Sequence, residues 1–593
     1  MTEAVETPAP PSHPALDPKI AWAFCRYAGG YWRGQTARQA WLLTIGLGIC
    51  LALSTAVTVA LNHWNRWFFD ALEKKDVAAL WPLLLWVVGI IAIMAAVGVG
   101  IVLTRETLQV RWRAWLIDRL LGQWLGERRF YHMNANRTEP ANPEYRIADD
   151  TRWATEPLTD LGIGLVIAVL NATAFIYILW SVGGSLKVPI GGATVTIPAY
   201  MVLLALLYGV IMSSLMLWIG KPLPGLVYMK NEREGDFRFA LMRLRENAES
   251  VALMAGHTAE RSILGRAYER AVTAWLQIVK RHGHVTWVTN SSGPLIQIFP
   301  LLMATPKYLA GELSLGEVTQ LAGAFVAVQG AISWLVDNFN RISEWYASAR
   351  RVMDIVDACD VVDQSRLASP ARISIGEHAA NTVSVSDLGV DDPFGTSLLK
   401  AVGLEARAGE SVHVAGDTSV GKTTLVRALG GLWQGGSGGI RFPATAKVMI
   451  VPQKPYMPLG SIRDAFAYPD PVLDTSDAAL HAALHDVGLP HLAQKFDEIA
   501  RWDQRLSNGE RQRFGVARVL LHKPDVLILD DALSALDEAS QVALFKRLRL
   551  AIPNATIVNL GQAQPPAGLH DRVVVIERRG GVATIRTHEK SQA

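Results

Sequence analysis

The chain has 593 residues, of which half are hydrophobic and only 19% are charged, and its formal net charge is +3. This length allows two to four domains, and the composition is more apolar and poorer in charge than is typical of a soluble enzyme. So small a net charge gives no reason to expect a nucleic-acid partner. The three cysteines, Cys25, Cys50 and Cys359, lie far apart and indicate neither a disulfide framework nor a zinc site.

The first residues predict a disordered tail followed by a helix at a membrane surface. Residues 1–18 are rich in proline, alanine and acidic residues, and they lack the basic start and apolar run of a cleavable signal peptide. The stretch from Ile20 to Trp32 is aromatic and flanked by Arg26 and Arg33. Such a segment is typical of an interfacial helix in contact with lipid.

Six apolar runs then predict six membrane-spanning helices, because about 20 helical residues cross the hydrocarbon layer. The last two runs contain three prolines and three glutamines, Gln297, Gln320 and Gln329. They are either buried helices of a soluble domain or spans whose polar side chains face a cavity or another helix. The predicted spans cover residues 41–61, 80–103, 161–182, 197–219, 294–309 and 318–335.

Basic residues concentrate in two of the connections between these runs. Nine arginines lie between Arg105 and Arg152, and a second basic segment extends from Lys221 to Arg281. By contrast, the connection between the third and fourth runs contains only Lys187, and the turn from the fifth run to the sixth has only Lys307, near the end of the fifth run. We therefore expect both basic segments and both termini to lie in the cytoplasm. Helical periodicity, for example over residues 237–252, predicts that the membrane helices continue into the cytosol.

A change of pattern near residue 372 indicates a second domain. Short β-type runs alternate there with helical ones, which is typical of an α/β domain with a largely parallel sheet. The expected organisation is a tail (1–18), a six-span helical membrane domain with cytoplasmic extensions (19–350), a linker (351–371) and an α/β domain (372–593).

A phosphate-loop motif lies near the start of that α/β domain. Residues 416–424, Gly-Asp-Thr-Ser-Val-Gly-Lys-Thr-Thr, fit the pattern G-x-x-x-x-G-K-[ST] between a predicted strand and a predicted helix. In such a loop the backbone N–H groups surround phosphate oxygens, the lysine reaches the β- and γ-phosphates, and the next hydroxyl binds Mg²⁺. The sequence thus predicts ATP and Mg²⁺ as cofactors, held by Gly416, Asp417, Thr418, Ser419, Val420, Gly421, Lys422, Thr423 and Thr424, with Thr423 at the metal.

Four further motifs follow in an order that indicates a particular kind of ATPase. Residues 526–530 predict a buried strand that ends in Asp530, an arrangement that places a carboxylate beside Mg²⁺. Residues 506–510, Leu-Ser-Asn-Gly-Glu, resemble the ABC transporter signature at the start of a helix whose N-terminus can face a γ-phosphate. Residues 451–453 resemble the Q-loop and residues 534–537 the D-loop. The resemblance implies a nucleotide contact for Ser507, Asn508, Gly509 and Glu510, and a catalytic and Mg²⁺-binding role for Gln453.

Several segments along the chain carry a narrower resemblance: 142–150, 234–238, 245–249 with Gly256 and Glu260, 299–300, 306–311, 453–464 and Tyr468-Pro469. Through them, nearly the whole chain after residue 20 resembles the BacA/SbmA/YddA-like branch of ABC half-transporters, which is related to the peroxisomal fatty acyl-CoA transporters. The resemblance implies an exporter-type membrane domain in a bacterial inner membrane. In ABC proteins the signature of one subunit closes on the phosphate loop of the other, so a chain with one nucleotide domain and six spans implies a homodimer or a paired half-transporter, and we expect the homodimer. A peptide or a cobalamin-like solute is the implied cargo, with a fatty acyl-CoA transporter or an ATP-binding sensor as alternatives.

The sequence departs from the family pattern at three positions. Ser419 replaces a glycine of the loop, which reduces backbone freedom. Asp531 stands where a general-base glutamate is expected, so its carboxylate lies about 1.5 Å farther from the attacking water, and misplacement on that scale can lower a rate about 10²-fold. Gln562 takes the place of a histidine and cannot carry a proton. We therefore expect the protein to bind ATP normally and to hydrolyse it slowly, with ordinary turnover as the alternative. Separately, Phe394 precedes the phosphate loop and is a candidate to stack on the adenine ring.

Overall fold

The structure, a computed structural model, describes residues 17–190, 193–368, 372–391, 397–417, 420–433, 435–470, 475–561, 565, 568–579 and 582–588. It divides into two compact units. The first contains the chain up to Phe130 together with Glu139–Asp360, and the second contains Tyr131–Thr138 and the chain from Val361 onward.

Long helices make up most of the first 368 residues. A two-stranded antiparallel hairpin, β1 (Ser185–Ile190) and β2 (Ala193–Pro198), interrupts them, and a π-helical turn, Arg146–Asp150, precedes the sixth helix. Residues 351–368, which we expected to belong to a linker, continue the last of these helices. The helices are α1 (Pro18–Ala28), α2 (Ala37–Glu73), α3 (Val77–Leu125), α4 (Arg129–Ala135), α5 (Pro143–Tyr145), α6 (Thr151–Gly183), α7 (Tyr200–Gly220), α8 (Leu223–Glu246), α9 (Ala248–Leu253), α10 (His257–Leu309), α11 (Leu315–Asp337) and α12 (Phe339–Ala368).

Within the described residues, five helical stretches are long and apolar enough to cross a membrane. The predicted span 294–309 forms the C-terminal part of α10, a helix of 53 residues that contains Pro294, Pro300 and Pro306. Its prolines, together with Gln297 and Lys307, lower the mean hydropathy of this part, so α10 is not among the five. The five stretches are Gly34–Glu73, Val77–Ala135, Pro143–Gly183, Tyr200–Glu246 and Leu315–Arg366.

Two local predictions in this region need correction. The fourth span does not begin at Ile197, because that residue lies in β2 and the helix starts at Tyr200. Four consecutive β-branched residues, 194–197, favour a strand there. The continuous helix predicted over residues 237–252 is broken at Asn247, whose side chain donates a hydrogen bond to the Arg243 carbonyl at 2.8 Å. Asparagine competes in this way for the backbone and favours a helix end.

Helices α2 and α11 contact each other closely at the start of α11. The Asp70 carboxylate accepts a hydrogen bond from the Gly316 N–H at 3.0 Å, and Arg66 pairs with Glu317 at 2.8 Å. A side chain at position 316 would bring its Cβ to 2.1 Å from the Arg66 carbonyl oxygen, so only glycine fits there. Farther along, the Asn62 amide donates to the Gln320 carbonyl at 3.1 Å.

Two of the three glutamines in the last predicted spans join helices to one another. Gln320 is fully buried, and its amide nitrogen lies 3.0 Å from His63 Nδ1. Gln329 is 5% exposed and donates to the Ala205 carbonyl on α7. The sequence allows such polar side chains to face either a cavity or another helix. Gln320 and Gln329 face another helix, whereas Gln297 is exposed.

The second unit is built on a ten-stranded sheet with the strand order β3–β7–β4–β5–β12–β11–β6–β10–β9–β8. The five strands from β11 to β8 are parallel, whereas β4 is antiparallel to both β5 and β7. The strands are β3 (Ser374–His378), β4 (Thr382–Asp391), β5 (Ser397–Arg407), β6 (Ser411–Gly416), β7 (Gly436–Pro443), β8 (Val448–Val451), β9 (Val526–Asp530), β10 (Thr556–Gly561), β11 (Arg572–Arg579) and β12 (Val582–His588). The helices are α13 (Lys422–Leu429), α14 (Ile462–Ala467), α15 (Asp477–Asp486), α16 (Trp502–Arg505), α17 (Asn508–His522) and α18 (Glu538–Ala551).

Both faces of the parallel strands are buried, which explains their continuous apolar runs. In β9, Leu527 and Leu529 pack into one hydrophobic cluster together with residues of α14 to α18. Val526 and Ile528 point to the opposite face and pack with residues of α13 and β6. The sheet is therefore held in position from both sides, and the ends of its parallel strands are fixed.

Candidate functional site

Four parallel strands end at the same edge of the sheet and bring the predicted site residues together. β8, β9, β10 and β6 are neighbours in that order, and their carboxyl ends are Val451, Asp530, Gly561 and Gly416. Ligands of open parallel sheets bind beyond the carboxyl ends of the strands. The loops that follow these ends contain Gln453, Asp531, position 562 and the phosphate loop.

The phosphate loop requires glycine at both of its ends. All six residues of β6 are buried, and a Cβ at Gly416 would lie 2.9 Å from Val420 and 3.0 Å from the Ile576 carbonyl oxygen. Gly421 has a φ of +106°, and a Cβ there would lie 3.0 Å from the Leu399 side chain. Thr418 and Ser419 lie outside the described residues.

Lys422 is the first residue of α13, and its side chain is 7% exposed. Its Nζ donates hydrogen bonds to the backbone carbonyls of Gly416 and, at 2.9 Å, of Asp417. No carboxylate of the described residues lies within ion-pair distance of this ammonium. A buried cation with only neutral partners at a helix N-terminus fits an anionic ligand such as a triphosphate. Thr423 is exposed and Thr424 is half-buried in the same turn.

Two consecutive carboxylates follow the end of β9. Burial raises the pKa of Asp530, and the neighbouring charge of Asp531 raises it further, while Arg427 and Lys422 act in the opposite direction. The negative charge of Asp530 is therefore only partly compensated by the protein. Oxygen ligands of this kind fit Mg²⁺, which binds through a few carboxylate or hydroxyl oxygens.

The backbone of Asp531 adopts the left-handed conformation, with a φ of +48°. This conformation costs an L-residue roughly 1–2 kcal/mol. Its N–H donates to the Leu560 carbonyl at 2.8 Å, which ties the end of β9 to the end of β10. Strain of this kind at the carboxyl end of a parallel strand is typical of a functional position.

The signature segment forms the N-terminus of α17. The Ser507 hydroxyl accepts a hydrogen bond from the Glu510 N–H at 3.3 Å, and the Glu510 carboxylate accepts from the Ser507 N–H at 2.9 Å. This hydrogen bond is the main reason why the pKa of Glu510 is lowered. Asn508 is exposed and Gly509 is partly exposed. Among the described residues, no hydrogen bond or ion pair joins this segment to the phosphate loop of the same chain.

Sequence reasoning missed the role of Gln512 in this site. Its side chain is 2% exposed and bonds to Gln453, Asp531, Ser534 and Ala535. The available signal was a glutamine on the apolar face of α17, where a buried polar residue needs partners.

Two further site residues predicted from the sequence lie outside the described residues. They are Gln562, which follows the last residue of β10, and Phe394, the candidate for adenine stacking. Gly561, the residue before Gln562, packs against a buried histidine: a Cβ at Gly561 would lie 2.7 Å from His413 Cε1.

Comparison with known proteins assigns both units to one kind of protein. Residues 33–309 match the family described as ABC transporter transmembrane region 2, and residues 399–534 match the family described as ABC transporter. The inner membrane ABC transporter ATP-binding protein YddA of Escherichia coli is 26% identical over 89% of this chain and 92% of its own length. The chloroplastic ABC transporter D family member 2 of Arabidopsis thaliana is 27% identical over 95% and 87%. The lysosomal cobalamin transporter ABCD4 of Mus musculus is 24% identical over 90% and 91%.

The sequence predicts a helical membrane domain joined to an α/β ABC ATPase domain. The matches and the structure confirm this fold class. The two family matches lie on one chain and in the order of a fused half-transporter. The chain thus belongs to the ABC transporters, as a half-transporter of the branch that includes YddA and the D family, and its second domain is an ABC-type ATPase.

Proposed function

We propose that this protein is an ATP-driven transporter that moves a bulky hydrophilic solute, a peptide or a cobalamin-like compound, across a bacterial inner membrane. YddA is named as an inner membrane protein and ABCD4 as a cobalamin transporter, and both resemble this chain over most of its length. The hydrophilic cargo rests on the name of ABCD4 and on the resemblance stated from the sequence. Gln320 and Gln329 do not add to it, because both bond to neighbouring helices. The observation that carries the ATP-driven mechanism is the convergence of Lys422, Asp530 and Asp531 at one sheet edge in a chain with membrane-spanning helices.

In the proposed mechanism the phosphate loop and Lys422 bind the triphosphate of ATP. Thr423, Asp530 and Gln453 would hold Mg²⁺, which when bound neutralises charge on the β- and γ-phosphate oxygens. Asp531 orients the attacking water, and Gln562 offers a hydrogen bond near the γ-phosphate. The α17 N-terminus of the partner subunit, with Ser507 to Glu510, completes the site from the other side. Closing and opening of the two nucleotide domains would switch the access of the membrane cavity.

We also propose that both termini lie in the cytoplasm, as the distribution of basic residues favours. A reporter fused to the C-terminus that is active only in the cytoplasm tests this orientation. Activity of a periplasm-specific reporter at the same position would overturn it.

Slow hydrolysis is the second part of the proposal, and it rests on Asp531 and Gln562. The carboxylate of Asp531 is one methylene shorter than that of glutamate, and its backbone is tied to Leu560, so the side chain cannot advance by a shift of the main chain. We therefore expect the protein to bind ATP normally and to hydrolyse it slowly.

The test is the ATPase rate of purified protein in lipid vesicles. Asp531→Glu, alone or with Gln562→His, should hydrolyse ATP about 10–100 times faster than the natural chain. Lys422→Ala serves as the inactive control. Equal rates in the natural chain and both variants would show that the site is not attenuated. Near-zero turnover with unimpaired ATP binding would favour the alternative that ATP binding itself is a signal and the protein is a membrane sensor.

The cargo is tested with the faster Asp531→Glu variant in sealed vesicles. Cobalamin or a peptide should stimulate ATP hydrolysis and accumulate on one side of the membrane in an ATP-dependent way. Stimulation by a fatty acyl-CoA, with no response to cobalamin or peptides, would overturn the hydrophilic assignment and identify a lipid transporter.

A further inference from the structure

One buried amide connects the signature helix to three other segments of the ATPase site. Gln512 lies in α17, five residues after Ser507, and its Nε2 donates to the backbone carbonyl of Gln453 at 3.0 Å and to that of Asp531 at 3.3 Å. The same nitrogen lies 3.3 Å from Ser534 Oγ, and Oε1 accepts from the Ala535 N–H at 2.8 Å. The Q-loop, the residue after β9 and the D-loop are thus all joined to a single side chain.

The chemistry of these contacts requires a carboxamide. The carbonyls of Gln453 and Asp531 need a donor, and the N–H of Ala535 needs an acceptor, so the side chain must supply both at one end. A glutamate of the same shape would place an oxygen against two carbonyl oxygens. Because the side chain is 2% exposed, water cannot replace these bonds, and each lost bond leaves a buried polar group without a partner.

The contact with Asp531 restrains a strained backbone. The N–H of Asp531 is held by the Leu560 carbonyl, and its own carbonyl accepts from Gln512 and, at 2.8 Å, from the Ser534 hydroxyl. A residue in the left-handed conformation keeps it only where its surroundings fix the backbone on both sides. Gln512 supplies part of that restraint from a helix whose first turn is the signature.

We propose that Gln512 is a positioning residue for ATP hydrolysis: it fixes the backbone of Asp531 and of the Q-loop and couples both to the position of the signature helix. A movement of α17 when the partner subunit closes is then transmitted to the carboxylate that orients water. This inference rests on the proposed function only in the role that it gives to Asp531.

The test compares Gln512→Met and Gln512→Glu with the parent protein, each in the natural background and in the Asp531→Glu background. We expect kcat to fall about 10–100-fold in both backgrounds, because misplacement of about 1 Å at a reacting group has effects of this size. The KM for ATP and the binding of a fluorescent ATP analogue should change less than about twofold, since no phosphate contact is removed.

Thr556→Val is the matched control for a lost buried bond. Thr556 is also 2% exposed, and its hydroxyl donates to the Arg407 carbonyl at 3.1 Å at the opposite edge of the sheet. The control should lower the unfolding temperature and leave kcat unchanged. A fall in kcat in Thr556→Val as large as that in Gln512→Met would assign the effect to stability and overturn the proposal, as would an unchanged kcat in Gln512→Met.

A second variant keeps the proposal testable if Gln512 variants do not fold. Ser534 is exposed, and Ser534→Ala removes the other hydrogen bond to the Asp531 carbonyl with little risk to folding. It should lower kcat in the same direction by a smaller factor, and an unchanged kcat would count against the proposal. The slow-hydrolysis proposal is tested separately: it fails if Asp531→Glu does not change the ATPase rate. Even then, the ratio of kcat between Gln512→Met and its parent still tests the role of Gln512.

Discussion

In the ATPase domain, His570 lies between the side chains of Asn559 and Ser411, and its hydrogen bonds to them require a neutral imidazole. Its Nε2 is 3.2 Å from the side-chain nitrogen of Asn559, and its Nδ1 is 2.7 Å from Ser411 Oγ. An amide nitrogen can only donate, so Nε2 must be unprotonated. Burial, then the neighbouring His413, then Arg549, lower the pKa of His570 to about 3.

This pKa predicts a pH dependence of stability with a definite sign. An unfolded histidine binds a proton near pH 6.5, whereas folded His570 does not until about pH 3. Between these values the unfolded chain holds more protons, so the free energy of unfolding falls as the pH is lowered, by at most about 1.4 kcal/mol per pH unit from this group. The contribution is fully present above pH 6.5. Unfolding temperatures of the whole protein from about pH 7.5 to 5.5 measure it.

His570→Asn provides the comparison, because asparagine does not titrate. The variant should be less stable than the natural protein near neutral pH and should lose less stability on acidification. If the unfolding temperatures of the two proteins changed in parallel with pH, the pH dependence would not come from His570.

The residues of the ATPase site differ in how far the sequence reveals them. The motif around Lys422 and the strand ending in Asp530 are local, because the chemistry and the secondary structure lie within ten residues of each other. Gln512 meets Gln453 across 59 residues and Asp531 across 19, so no local pattern could show these bonds. The left-handed backbone of Asp531 likewise depends on Leu560, which becomes its neighbour only when β9 and β10 pair.

At the scale of helices, a π-helical turn places a carboxylate inside the membrane domain. The turn Arg146–Asp150 precedes α6, and Asp150 at its end is fully buried. Arg351 of α12 donates to both of its oxygens, at 2.7 Å from Nε and 2.6 Å from Nη2. This bidentate pair joins the start of α6 to α12.

Removing Arg351 should lower the stability of the protein more than neutralising Asp150 does. Arg351→Ala leaves a buried carboxylate without its cation and should destabilise the protein by about 3–5 kcal/mol. Asp150→Asn leaves a neutral amide beside an arginine that is 40% exposed and can reach water, so the loss should be smaller. Thermal unfolding of the protein in detergent compares the two.

Arg152→Ala is the control for an exposed pair, since Arg152 and Glu156 are both well exposed on α6. Its effect should stay below about 1 kcal/mol. An Arg351→Ala variant as stable as Arg152→Ala would show that the buried pair contributes little.

The helices themselves could be predicted better than their ends. Apolar runs of spanning length are visible without any tertiary information, because a bilayer imposes both length and composition. Two helix ends depend instead on a few residues. Strand pairing in the hairpin β1–β2 delays the start of α7, and one side-chain hydrogen bond of Asn247 ends α8. In the 53-residue helix α10, a polar first part and the apolar run 294–309 form one continuous helix, which its three prolines do not end.

At the scale of the whole molecule, the proposed homodimer makes a prediction about mixed subunits. Lys422→Ala should inactivate the phosphate loop of its own chain, and Ser507→Arg should inactivate the signature that it offers to its partner. A dimer of one chain of each kind keeps one intact site, formed by the phosphate loop of the Ser507→Arg chain and the signature of the Lys422→Ala chain. The purified mixed dimer, with one intact site of two, should therefore show about half of the natural ATPase rate.

The experiment uses co-expressed chains with two different tags, purified in sequence so that only mixed dimers are assayed. Pairs of Lys422→Ala chains with different tags are the control and should remain inactive. Absence of any recovery in the mixed dimers would contradict a site shared between subunits.

The close approach of α2 and α11 has a mechanical consequence for transport. Asp70, Arg66 and Asn62 lie on successive turns of α2, and each bonds to the first turns of α11 or its backbone. A shift of one helix along the other by a single turn would break all three contacts at once and would drive the backbone at Gly316 into its neighbour. The two helices are therefore expected to tilt together as one rigid body, so a passage for the solute must open along a different boundary between the membrane helices.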